Sequence, residues 1–572
     1  MTLRASFQTL PVDIVQKVLE YLEGYSREYF GPTTEKYYER KAALAPLLLV
    51  GEYWCAAALA SICETCELRF IHSRKAIEVT FPAWPASAPY LEHRKTPLVR
   101  RVIVSANLWE DLCDGAFCDT ISMSQFENLV FPSAKTLLLY LSKAKGDGPK
   151  DYSRRHSSQQ LPVSATCDWK VVGAACSLLR LVPAASSVRV QICSISDTEP
   201  DYLQFYNRLL LELCRGSVNS LNIHSWLDGS TLPLSLDGIS GLTSITQGLN
   251  IPCSTFTTLA YLNSGTLRVL DIGLTSEDDW FELVYGGKEH STVYSSLLSL
   301  TIETGDIPYG ASWEAIEDVE PFPVLSTLKV SGTYPFDDDV LFRGNGQTLR
   351  NLHVPFSALA KGVLGRFGVF KRSGVTRMNQ VRTDVVTMAD KEFIAANADS
   401  TIETQVHSIL KVSSSLVIMG DTDECHMYLA IYAAPNMTLL QHLEFATLVL
   451  DASHIFQVIA ALPNLVSLTC KVSGCGPDIE AIPENVRPKN LFAKYYPLSN
   501  RFRNLHITDV ANASAEDTAH LAMLLAVVCP SFSAANVSPD LRRDFSREIA
   551  WCMLNAAYQP FANSLRGLIY LG

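Results

Sequence analysis

The apolar positions of this 572-residue chain recur in one short pattern. Gly265-Thr266-Leu267-Arg268-Val269-Leu270-Asp271-Ile272 is echoed by Gln347-Thr348-Leu349-Arg350-Asn351-Leu352-His353-Val354, and again by Asn563-Ser564-Leu565-Arg566-Gly567-Leu568-Ile569-Tyr570. Looser copies centre on Leu300, Leu328, Leu443 and Leu468, with weaker ones at Leu221, Ile245, Leu505 and Ala535. Positions 270, 300, 328 and 352 lie 30, 28 and 24 residues apart, and 443 and 468 lie 25 apart. Within each copy the last apolar residues alternate, as on a strand with one face buried. One such unit cannot bury its own apolar face, so the pattern predicts stacking of successive strands into a solenoid. Helical returns fit between strands: Tyr202, Tyr206, Leu209, Leu210 and Leu213 share a face, and Ser514 to Asp517 reads as a capping box before Leu521, Leu524, Leu525 and Val528. Residues 355–439 hold no clear copy and are expected to be degenerate repeats, while the polar stretch 142–168 reads as a flexible loop or insertion. The competing architecture, an ordinary α/β domain of parallel strands, does not account for the recurring Thr/Ser-Leu-Arg-x-Leu.

The first seventy residues follow another rule. Pro11 suits a first helical turn because it needs no N–H partner there. Ile14, Val15, Val18, Leu19 and Leu22 fall on one helical face and Asp13, Gln16, Lys17, Glu20 and Glu23 on the other, with Gly24 as a stop. From Leu44 to Cys63 the chain is almost continuously apolar, Glu52 being the lone charge. Pro46, Gly51, Glu52 and Tyr53 argue against a membrane span there, and two buried helices are the better expectation.

The Leu10-Pro11 start, the helix closing on Tyr21-Leu22 and the Leu/Val run ending at Tyr53-Trp54 together resemble an F-box; the downstream periods look like leucine-rich repeats. The resemblance implies an α/β protein with a small N-terminal helical F-box-like module (1–70). An irregular leucine-rich-repeat solenoid (71–572) would follow, with a parallel sheet on its concave face. It also implies a non-catalytic substrate-recognition subunit of a Skp–cullin–F-box ubiquitin ligase. Carried over by position, Leu10, Pro11, Ile14, Val18, Leu19, Leu22, Leu48, Val50 and Trp54 would meet a Skp-type adaptor and, through it, a cullin. The concave face would hold a protein substrate. On the strand register its residues are Val269, Asp271, Ser299, Thr301, Glu303, Thr327, Lys329, Asn351, His353, His442, Glu444, Ser467, Thr469, Asn504 and His506, a mixture with no dominant sign. One departure from the family is the segment Glu23 to Arg40, longer than the usual connection. The alternative is a repeat scaffold with no ubiquitin role, its N-terminal helices serving as a cap. A hydrolase or transferase in an α/β fold is the remaining class, and it would need a cleft of perturbed ionisable groups.

Composition narrows these choices. Hydrophobic residues are 48% of the chain and charged ones 19%, which suits a folded protein. A net charge of -12 argues against a generic phosphate-backbone binder, so neither nucleic acid nor membrane is expected as a partner. Lys361, Arg366, Lys371, Arg372, Arg377 and Arg382 form the main basic run and read as a solvated helix or loop face. The 15 cysteines are odd in number and scattered, and no apolar signal segment follows Met1, so a reducing cytoplasmic or nuclear setting is expected. Cys63-x-x-Cys66 and the wider pair Cys113 and Cys118 lack the matched spacing of a zinc site. Asp337 to Asp339 and Asp421 to Glu424 read as acidic turns. Gly286-Gly287-Lys288-Glu289 is no P-loop, and no HExxH, nucleophile elbow or dinucleotide fingerprint occurs, so neither a cofactor nor catalysis is expected.

Overall fold

A computed structural model describes residues 52–71, 76–82, 96–107, 129–142, 167–193, 200–215, 217–226, 238–248, 253–286, 292–304, 320–332, 340–345, 347–355, 378–384, 413–419, 439–473, 499–511 and 534–537, with isolated positions between them. The fold is α/β, with 17 strands, all but one pairing parallel, and six α-helices among the described residues. The chain divides into two compact units between Ile272 and Gly273, a boundary that the repeat pattern does not mark.

The first unit opens with helix α1 (Glu52–Ile62), which turns through Cys63 and Glu64 into β1 (Thr65–Ile71). β2 (Ala76–Thr80) runs back antiparallel along β1. On the other side of β1 the strands add in sequence order and in parallel: β3 (Arg101–Asn107), β4 (Thr136–Ser142), β5 (Ser187–Cys193), β6 (Ser220–Trp226), β7 (Ser244–Gln247) and β8 (Val269–Leu274), within which the unit boundary falls. Three helices carry the chain back between strands: α2 (Cys167–Leu181), α3 (Pro200–Cys214) and α4 (Cys253–Leu262). Each buries a stripe at helical spacing, Val171, Ala174, Ala175 and Leu178 on α2 and Tyr206, Leu209, Leu210 and Leu213 on α3. The stretch 142–168, expected as a loop or insertion between β4 and α2, lies outside the described residues apart from its two ends.

The second unit opens with α5 (Glu277–Tyr285), capped by Ser276 and Asp279 in a reciprocal capping box and ended by Gly286 in the left-handed region. Its strands again follow sequence order: β9 (Ser299–Thr304), β10 (Thr327–Gly332), β11 (Asn351–Pro355), β12 (Gln380–Asp384), β13 (Ser415–Met419), β14 (His442–Leu450), β15 (Ser467–Ser473), β16 (Asn504–Ala511) and β17 (Ala534–Val537). Helix α6 (Ala452–Ala461) links β14 to β15. Two strands, β12 and β13, therefore sit inside 355–439, where the sequence offers no clear repeat. The capping box expected at Ser514 and the copy at Asn563 lie outside the described residues.

One construction joins successive strands in both units. The carbonyl just before a strand accepts two N–H groups from the next turn of the chain. Glu64 accepts from Arg100 and Arg101, Asn219 from Thr243 and Ser244, Thr243 from Arg268 and Val269, Ser326 from Arg350 and Asn351, Arg350 from Asn379 and Gln380, and Val466 from Arg503 and Asn504. Hydroxyls add a second stitch: Ser217 donates to the Ala185 carbonyl, Thr243 to Asn219, Thr266 to Leu242, Ser326 to Leu298 and Thr348 to Leu325. Buried backbone groups must find partners, and this arrangement satisfies them from turn to turn.

The core lies on the helix-bearing side of the strands. Leu221, Ile223, Leu270, Ile272, Leu300, Ile302, Leu328, Val330, Leu352, Val354, Leu443 and Leu468 are all buried there. In the second unit Trp280, Tyr294, Trp313, Phe322, Tyr334 and Phe336 fill the space beside β9 and β10, with Trp280 and Phe336 edge-on at 4.9 Å. Tyr294 anchors this cluster by donating its hydroxyl to the Leu283 carbonyl at 2.8 Å.

Candidate functional site

The outer face of the strands, opposite the leucines, carries every residue that the sequence nominates for substrate contact. Val269 and Asp271 stand on β8; the others stand on β9, β10, β11, β14, β15 and β16. None of the fifteen is buried, and Val269, at 39% relative exposure, is among the more open large apolar side chains. Strand registers sort those of the second unit into rows. One row runs Ser299, Thr327, Asn351 and Gln380. The next runs Thr301, Lys329, His353, Arg382, Val417, Glu444, Thr469, His506 and Asn536. Within the first row Asn351 donates to the Thr327 hydroxyl at 3.3 Å.

The outer face is not uniform. In the first unit Ile103 on β3 and Leu138 on β4 point away from the leucine side and yet are only 5% and 4% exposed, so this part of the face is covered. The adjoining polar groups are tied down as well: Arg101 pairs with Glu64 at 3.0 Å and Ser105 donates to Glu67 at 3.2 Å. In the second unit the row from Thr301 to His506 stays accessible except at Val417, which is 7% exposed.

Three features of these strands and their entry turns escape a reading of the sequence alone. Arg382, assigned from sequence to a solvated basic run, stands on β12 beside His353. Gln380 extends the neighbouring polar row. The third is a pair of buried asparagines that shape the turn entering a strand. Asn263 donates to the carbonyls of Ile239 and Leu259 and accepts from the Leu242 N–H at 2.9 Å. Asn345 donates to the Leu341 carbonyl, but its Oδ1 is buried with no partner. The shared spacing Asn263-x-x-Thr266-Leu267-Arg268 and Asn345-x-x-Thr348-Leu349-Arg350 is the signal that finds them.

Of the residues nominated for an adaptor, Leu10, Pro11, Ile14, Val18, Leu19, Leu22, Leu48 and Val50 lie outside the described residues. Trp54 lies in α1, whose Ala58 and Ile62 are buried.

The chemistry available to the described residues is that of a surface. Cys63 and Cys66 are buried thiols, outside any disulfide, at the α1–β1 junction. Burial pushes the Cys66 thiol well above its ordinary range, with the Glu67 carboxylate and Cys63 acting in the same direction. Burial alone pushes Cys214 up to about 12. Both thiols are thus held protonated, the opposite of what a nucleophile requires. Among the described residues no three His, Cys, Asp or Glu side chains gather as metal ligands, and no helix is long and apolar enough to cross a membrane.

No protein-family model matches the chain, and no curated protein sequence matches it.

Proposed function

We propose that the chain is a non-catalytic receptor of a Skp–cullin–F-box ubiquitin ligase, an F-box-like module followed by an irregular leucine-rich-repeat solenoid. Residues 1–70 dock on a Skp-type adaptor through Leu10, Pro11, Ile14, Val18, Leu19, Leu22, Leu48, Val50 and Trp54. The outer face of the repeats holds a protein substrate, and the cullin bound to the adaptor brings in the transfer machinery. The observation that carries this reading is the sequence-ordered parallel ladder with a leucine face buried and a polar face left accessible. A ladder of this kind offers many side chains on one rigid surface and suits recognition of an extended partner.

A second reading has an observation in its favour. α1 leads directly into β1, and Glu64 at that junction makes the first rung of the carbonyl ladder, as a cap would. In that case the protein is an interaction scaffold without a ubiquitin role. Calorimetric titration of purified full-length chain with a Skp adaptor separates the two. Binding by the wild type that falls at least about tenfold in Leu10→Ala/Pro11→Ala supports the receptor, since truncating a central apolar anchor at an interface costs 2 kcal/mol or more. Absence of heat from both chains leaves the scaffold.

A further inference from the structure

We draw no further inference here: the strongest candidate, the covered outer face of β1, β3 and β4 in the first unit, where Ile103 and Leu138 are buried and where Thr65 Oγ1 and Arg101 Nη1 are buried without a hydrogen-bond partner, carries nothing because nothing among the described residues shows what covers it.

Discussion

Gly332 shows how closely neighbouring turns of this chain approach. Its φ is +92°, and a Cβ placed on it would sit 1.9 Å from the Thr304 carbonyl oxygen on the adjacent strand. Backbone strain and steric overlap add at one position, so Gly332→Ala should cost about 2 kcal/mol or more, measured by urea denaturation. The asparagines give a paired expectation. Removing the Asn263 side chain strands the Ile239 carbonyl and the Leu242 N–H, the Leu259 carbonyl keeping the Asn263 backbone N–H, whereas removing Asn345 breaks one bond and also removes an unsatisfied oxygen. Asn263→Ala should then cost about 2–4 kcal/mol and Asn345→Ala clearly less. Equal losses would contradict the account of the entry turn. Cys214 carries a pH dependence whose sign follows from proton binding. The folded thiol holds its proton up to about 12 and the unfolded one only to its ordinary value near 9.0. The folded state binds more protons between those values, so this contribution is complete below about 9 and is lost as pH climbs toward about 12. Urea midpoints should fall on crossing pH 9, and Cys214→Ala should flatten that fall.

Among the elements, β12 is the least obvious rung. Of its five residues Val381 is buried, between Leu352 of β11 and Leu416 of β13. Val381→Ala should cost about 2 kcal/mol, and amide exchange should quicken in Asn351–Pro355 and Ser415–Met419 while β4 and β5 keep their protection. Unchanged exchange in β11 and β13 would mean that β12 is not a rung between them. The strands around Leu270, Leu300, Leu328, Leu352, Leu443 and Leu468 are legible in the sequence because each buries one face only, so leucines alternate with polar residues. β3, β4 and β13 are not, because Ile103, Leu138 and Val417 on the outer side are buried as well and the alternation vanishes. β12 hides for the opposite reason, having too few apolar residues to register. The site follows suit: Lys329 and His353 can be read from their leucines, while Arg382 cannot be placed until β12 is.

At the scale of the molecule, each unit is a ladder of parallel strands in sequence order, and in the second unit the face opposite the leucines stays accessible along most of its length. On the proposed reading this face holds a partner and the F-box-like module delivers it. On that reading the chain couples a held partner to a ligase, and the mass of the complex it forms reports on that coupling. Full-length chain, a Skp adaptor and a cullin should elute together in size-exclusion chromatography with light scattering, at a mass equal to one copy of each. The chain eluting by itself, with adaptor and cullin together in a separate peak, would contradict a receptor role.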